Sequence, residues 1–69
     1  MADVLKVIEL LAESDKGWEE AANNAVARAS ETLRNIRSIY IKDFEAKVEN
    51  NKITQYRINA KVTFLLSDR

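Results

Sequence analysis

From Tyr56 to Phe64 every second residue is apolar: Tyr56, Ile58, Ala60, Val62 and Phe64 point one way, and Gln55, Arg57, Asn59, Lys61 and Thr63 point the other. Alternation this regular is a strand with one face against a core and one face wet. The chain therefore has to cover one side of a sheet. Residues 14–36, "SDKGWEEAANNAVARASETLRNI", supply the cover. In that segment Trp18, Ala22, Ala25, Val26, Ala29, Leu33 and Ile36 recur at steps of three and four, which predicts one helix with a single apolar stripe. Ser14 is placed to accept from the free N–H groups of the first turn, and Asp15, Glu19 and Glu20 suit the positive end of the helix dipole. The small side chains of the stripe let the helix lie close to whatever packs beneath it.

Two further strands flank this pair. "VLKVIELLA", residues 4–12, is short and β-rich. Both of its alternating sets are mostly apolar, with Leu5, Val7 and Leu11 on one and Val4, Ile8 and Leu10 on the other. A strand with one wet face is more lopsided than this, so the pattern predicts protein on both sides, including a subunit contact. In "NIRSIYIKDFEAKV" Ile39 and Ile41 share one parity, while Phe44, Ala46 and Val48 share the other. A parity switch inside a strand is what one extra residue produces, so a β-bulge is predicted around Lys42 and Asp43. "ENNK" supplies the turn to the last strand, since asparagine tolerates the left-handed backbone region. The fold class is α+β in the order β-α-β-β, with one long helix packed on a bent three-stranded antiparallel sheet.

A chain of 69 residues makes one domain, residues 1–69, and buries only about 60% of its unfolded surface. Such scaffolds compensate with disulfides, a metal or oligomerisation. The absence of Cys and His removes disulfides and the common zinc arrangements, which leaves oligomerisation as the leading expectation. Eleven basic and eleven acidic residues cancel, so no net field draws nucleic acid or an anionic membrane. No apolar run is long enough to span a bilayer, and "MADVLKVIEL" lacks the layout of a secretory leader. A cytoplasmic location is the expectation.

Without His or Cys the usual nucleophile–base pairs are excluded, and one glycine cannot build a phosphate-cradling loop, so the chain is not expected to be an enzyme. Glu19 and Glu20 are adjacent on a helix, diverge, and read as a solvated first turn. Asp43 and Glu45 stand two apart on a strand, hence on one face, where their oxygens are a candidate pair for a hard cation such as calcium. Trp18, on the apolar stripe, reads as a cap of the core or a subunit contact. The row Gln55, Arg57, Asn59, Lys61 reads either as the wet face of a strand or as the lining of an interface or ligand cleft.

Taken together, "KVIELLAES" running into the helix, "AANNAVARASETLRNI" in its body and "QYRINAKVTFLL" at the end resemble the dodecin family over about residues 5–66. The resemblance implies a hollow homododecamer that holds a small-molecule ligand between subunits and stores or buffers it. In flavin-binding members, a tryptophan at the start of the second strand stacks on the flavin and a glutamine in the third strand hydrogen-bonds to it. The matching positions here are Ser38 and Arg57, with Arg37 just before the first. The resemblance thus implies a member of the kind that lacks the flavin-stacking tryptophan.

Three readings follow. The shell binds an anionic cofactor, such as a flavin (FMN or riboflavin) or a related nucleotide, through Arg37, Ser38 and Arg57; a guanidinium can lie flat on a ring or grip phosphate. Alternatively it binds calcium through Asp43 and Glu45 and no flavin. In the third reading the assembly has no specific ligand at these positions. In all three its partner is itself, with no nucleic acid and no membrane.

Overall fold

In the computed structural model, which describes residues 3–66, the elements run β1 (Leu5–Ser14), α1 (Trp18–Ala29), β2 (Ile36–Glu49) and β3 (Lys52–Leu65). The strongly alternating segment takes the centre: the sheet order is β1-β3-β2, with both neighbours antiparallel to β3. The register sets the faces. Ile8, Leu10 and Ala12 lie opposite Val62, Ala60 and Ile58, and Ile39 and Ile41 lie opposite Val62 and Ala60 from the other side. These residues form the inner face, on which α1 packs through Ala21, Ala25 and Ala29, all buried. Alanine at each contact position removes the side-chain spacer that would hold a helix off a sheet. This is the β-α-β-β architecture expected, with a bent sheet and the helix on one side.

The helix is shorter at both ends than residues 14–36. Ser14 is the last residue of β1, and Gly17 is the N-cap, without a side-chain cap bond. The Ser14 hydroxyl instead holds the connection together. It accepts from the N–H groups of Lys16 and Gly17 and donates to Glu20. At the other end the Ser30 hydroxyl donates back to the Ala27 carbonyl at 2.7 Å, and the backbone tightens as Glu31 N–H reaches Arg28 and Thr32 N–H reaches Ala29. Side chains that bond their own backbone compete with helix propagation. Asn35, at φ 62°, then turns the chain into β2. Leu33 and Ile36 remain half-buried, so their apolar character serves the core from outside the helix. The buried line also runs one residue to the side of the expected stripe, through Ala21.

The expected bulge is present: pairing steps from Ile41–Ala60 to Asp43–Asn59, leaving Lys42 as the extra residue. Two more irregularities flank it. Arg37 is extra between Ile36 and Ser38, and Thr54 is extra on β3 between the Lys47–Gln55 and Val48–Ile53 pairs. The hairpin turns through Asn50 at φ 52° and Asn51 at φ 65°, two successive left-handed residues as a two-residue hairpin requires. Asn51→Val is expected to cost about 1–2 kcal/mol, because a β-branched residue resists this region, whereas Asn51→Gly should be neutral or better. Urea denaturation of the two variants checks the contrast.

The domain is long. Its extents are 54 × 20 × 13 Å and its radius of gyration is 14.3 Å, against about 11 Å for a globular chain of this length. It exposes 5414 Å², about 1,000 Å² more than a monomer of this size ordinarily shows. The cause is a mismatch of lengths. β2 and β3, 14 residues each, run for about 45 Å. The 12 residues of α1 cover about 18 Å of that. Past the helix start, Phe44, Val48 and Ile53 on the inner face are left open, as are Leu5, Val7 and Leu11 on the outer face of β1. The two mostly apolar sets of β1 thus have different surroundings: one set meets α1, and the other is exposed, with no element packed on it among the described residues.

Candidate ligand site

On the outer face of the sheet the register stacks residues in rows across β1, β3 and β2. Val7, Thr63 and Ser38 form one row; Glu9, Lys61 and Tyr40 the next; then Leu11, Asn59 and Asp43; then Glu13, Arg57 and Glu45. Arg57 therefore sits on the central strand between two carboxylates. Its Nε donates to Glu13 Oε2 at 2.7 Å, and its Nη2 lies 2.5 Å from the same oxygen. On the other side Nη1 stands 3.6 Å from Glu45 Oε1, a looser pairing. The Glu13 hydrogen bond, and then the Glu13 charge, raise the guanidinium above its ordinary value; slight desolvation opposes this and Glu45 adds to it. Arg57 is therefore charged at every pH at which such a protein folds.

Glu13, Glu45, Ala46, Lys47, Gln55 and Arg57 line a pocket of about 170 Å³ here. Two amide oxygens on this face, Gln55 Oε1 and Asn59 Oδ1, are buried without a hydrogen-bond partner. Buried polar atoms are almost always partnered, so an orphaned pair on one strand face marks a surface that another molecule completes. A larger open groove of about 560 Å³ runs between β1 and α1. Of its three charged members, Arg28 and Glu31 pair with each other at 3.5 Å and Glu13 pairs with Arg57, and the rest of its lining is largely alanine and leucine.

The residues singled out in the sequence fall into separate places. Arg37 is the bulged residue at the head of β2, and Ser38 faces Thr63. Arg57 lies six residues before Thr63 on β3, about 20 Å away. One small ligand cannot touch Ser38 and Arg57 of the same chain. Asp43 and Glu45 do share the outer face, opposite Asn59 and Arg57. Among the described residues no group of three or more acidic, His or Cys side chains is positioned to hold a metal ion. Glu13 was overlooked as a partner for Arg57. Its parity with Glu9 was the available signal, but pairing between the first and last strands is not visible in either segment alone.

The expectation of a chain whose tryptophan has been replaced is overturned. Trp18 is present and heads an aromatic cluster, edge-on to Tyr56 (centroids 4.9 Å apart, 80°) and to Phe44 (5.8 Å, 85°). Its indole N–H donates to the Glu45 carbonyl at 3.0 Å. The sequence places this ring only as a cap of the core or a subunit contact, because only the fold brings the head of α1 over that part of the sheet. Trp18 thus grips from the inner face the residue whose carboxylate faces Arg57 on the outer one.

The dodecin family model matches residues 4–67. The chain belongs to the dodecin family. Among its relatives, the dodecin of Thermus thermophilus is 31% identical over 68 residues, covering 99% of each chain. The calcium dodecin of Mycobacterium tuberculosis is 34% identical over 61 residues, 88% of this chain and 86% of that one. A solved dodecin variant from T. thermophilus superposes with a TM-score of 0.92 at 30% identity, covering 97% of this chain and all of the other. The calcium dodecin structure superposes at 0.80 with 35% identity, covering 94% and 93%. Like them, this family member is a small β-α-β-β unit. No helix among its described residues is long and apolar enough to cross a membrane.

Proposed function

We propose that the chain assembles as a dodecin-type homododecameric shell and holds a small cofactor of the flavin class between subunits, on the outer sheet face. The observation that carries this is the split of the candidate contacts. Arg57 stands about 20 Å from Ser38, in a pocket of about 170 Å³ that is well below the roughly 300–1,000 Å³ of sites that enclose a small molecule. Arg37 and Ser38 of one subunit with Arg57 of another make one site where a single chain makes none. The orphaned oxygens of Gln55 and Asn59 fit a ligand that donates hydrogen bonds, and Arg57 fits its anionic part through Nη1, the nitrogen less tightly held. A bound flavin would bring a planar redox-active ring; the residues around it bind, orient and enclose it, which is storage and not turnover.

Native mass spectrometry tests the assembly, and titration with FMN tests the site. Arg57→Ala should weaken FMN binding about tenfold or more, the scale of a lost hydrogen bond to a charged group, while leaving the assembly mass unchanged. Unchanged affinity would remove Arg57 from the site. Calcium binding at Asp43 and Glu45 is the second reading, supported by the likeness to calcium dodecin. It has to contend with Arg57, whose charge lies beside Glu45. It requires that calcium raise the melting temperature and that Asp43→Asn abolish the increase.

A further inference from the structure

The chain has five aromatic residues, and four lie on the helix-bearing inner side of the sheet. Trp18, Phe44 and Tyr56 form the inner-face cluster, and Phe64 is buried in the core. The fifth, Tyr40, lies on the outer face and is 64% exposed. It is two residues from Ser38 on the same side of β2, and its pairing partner across the ladder is Lys61. Directly opposed residues on one face have side chains in reach of each other. Lys61 has no ion-pair partner within 4 Å among the described residues, since the nearby Glu9 is 3.7 Å from Lys42. A ring with an open face, beside an uncommitted ammonium, is what a flat ligand carrying negative charge needs: stacking surface and counter-charge from adjacent positions.

We propose that Tyr40 is the stacking platform of the outer-face site and that Lys61 supplies the charge beside it, so that this end of the sheet takes a planar aromatic ring bearing an anionic group. The assignment rests on the flavin-class reading above and adds to it the surface on which the ring lies. It also divides the labour between subunits. The Ser38 end contributes Tyr40 and Lys61, and the Arg57 end, four residues before Lys61 on β3 and about 13 Å from it, contributes the guanidinium and the amide acceptors.

The test measures FMN and riboflavin binding by quenching of flavin fluorescence, in the wild type, Tyr40→Phe, Tyr40→Ala and Lys61→Ala, with native mass spectra of each. Tyr40→Ala should weaken FMN at least about fivefold, the lower end of the effect of removing a stacking aromatic. It should also leave bound flavin brighter at saturation, whereas Tyr40→Phe, which keeps the ring, should match the wild type in both. Lys61→Ala should weaken FMN and spare riboflavin, which lacks the phosphate. Wild-type affinity and quenching in Tyr40→Ala would overturn the proposal while leaving the flavin reading standing. A Tyr40→Ala protein that no longer assembles would overturn it by making Tyr40 a subunit contact. A wild type that binds neither flavin would overturn both.

Discussion

Trp18→Ala is expected to destabilise the protein by about 3 kcal/mol, the low end of the range for removing a large aromatic side chain. For a domain of this length that is a fall of roughly 12–24 °C in melting temperature. The indole is half-buried within the chain, which places the value at the low end, but it has three partners. Tyr56 and Phe44 meet it edge-on, and the Glu45 carbonyl accepts its N–H. Trp18→Phe separates these contributions, since it keeps a ring for the edge contacts and removes the donor. That variant should lose only about 1 kcal/mol, the net value of one hydrogen bond. Thermal unfolding followed by circular dichroism measures both. A loss below 1 kcal/mol in Trp18→Ala would show that the cluster does not brace the hairpin. Because Trp18 holds the backbone of Glu45, Trp18→Ala should also loosen Arg57 from its second carboxylate.

Ile58→Ala should cost about 2–5 kcal/mol. Ile58 and Val62 are the largest fully buried side chains, and Ile58 lies at the centre of the cluster with Ala21 and Ala60. Its alanine neighbours have no side-chain length with which to fill a cavity, so the void would persist and the upper half of the range is the better expectation. Ile58→Val, removing one methylene, should cost about 0.5–1.5 kcal/mol. The graded pair, read from guanidinium denaturation, distinguishes a packed core from a loose one. Similar losses in both variants would mean that the site collapses around smaller side chains.

The elements were legible where a period was long. The alternation from Tyr56 to Phe64 gave the central strand, the bulge showed as a parity switch, and "ENNK" showed as a left-handed turn. The helix ends were not legible, because Leu33 and Ile36 continue the helical spacing for a different reason: they approach the same core from a loop and a strand. Ser14 looked like a cap because its hydroxyl is a good acceptor, and it does accept two N–H groups, but from the end of a strand. The site was less legible than the fold. Arg57 could be picked out, but Glu13 could not, since the contact joins residues 44 apart in sequence through strand order. Tyr40 carried no signal of its own. It became distinctive only once the other rings were seen to lie on the inner side of the sheet.

Each side of the sheet ends in a strand whose outer backbone has no partner strand among the described residues, and the two are built differently. β1 runs for ten residues with unbroken pairing to β3, while β2 is interrupted at Arg37 and again at Lys42. Extra residues twist an edge and spoil its row of donors and acceptors as a template. The β1 border is therefore the more regular template for an added strand and the β2 border the less regular one. If two copies join through β1, both remaining borders belong to β2. An exposed sheet of this length is a template for fibre growth, and the two inserted residues make the β2 border a poorer template than the β1 border.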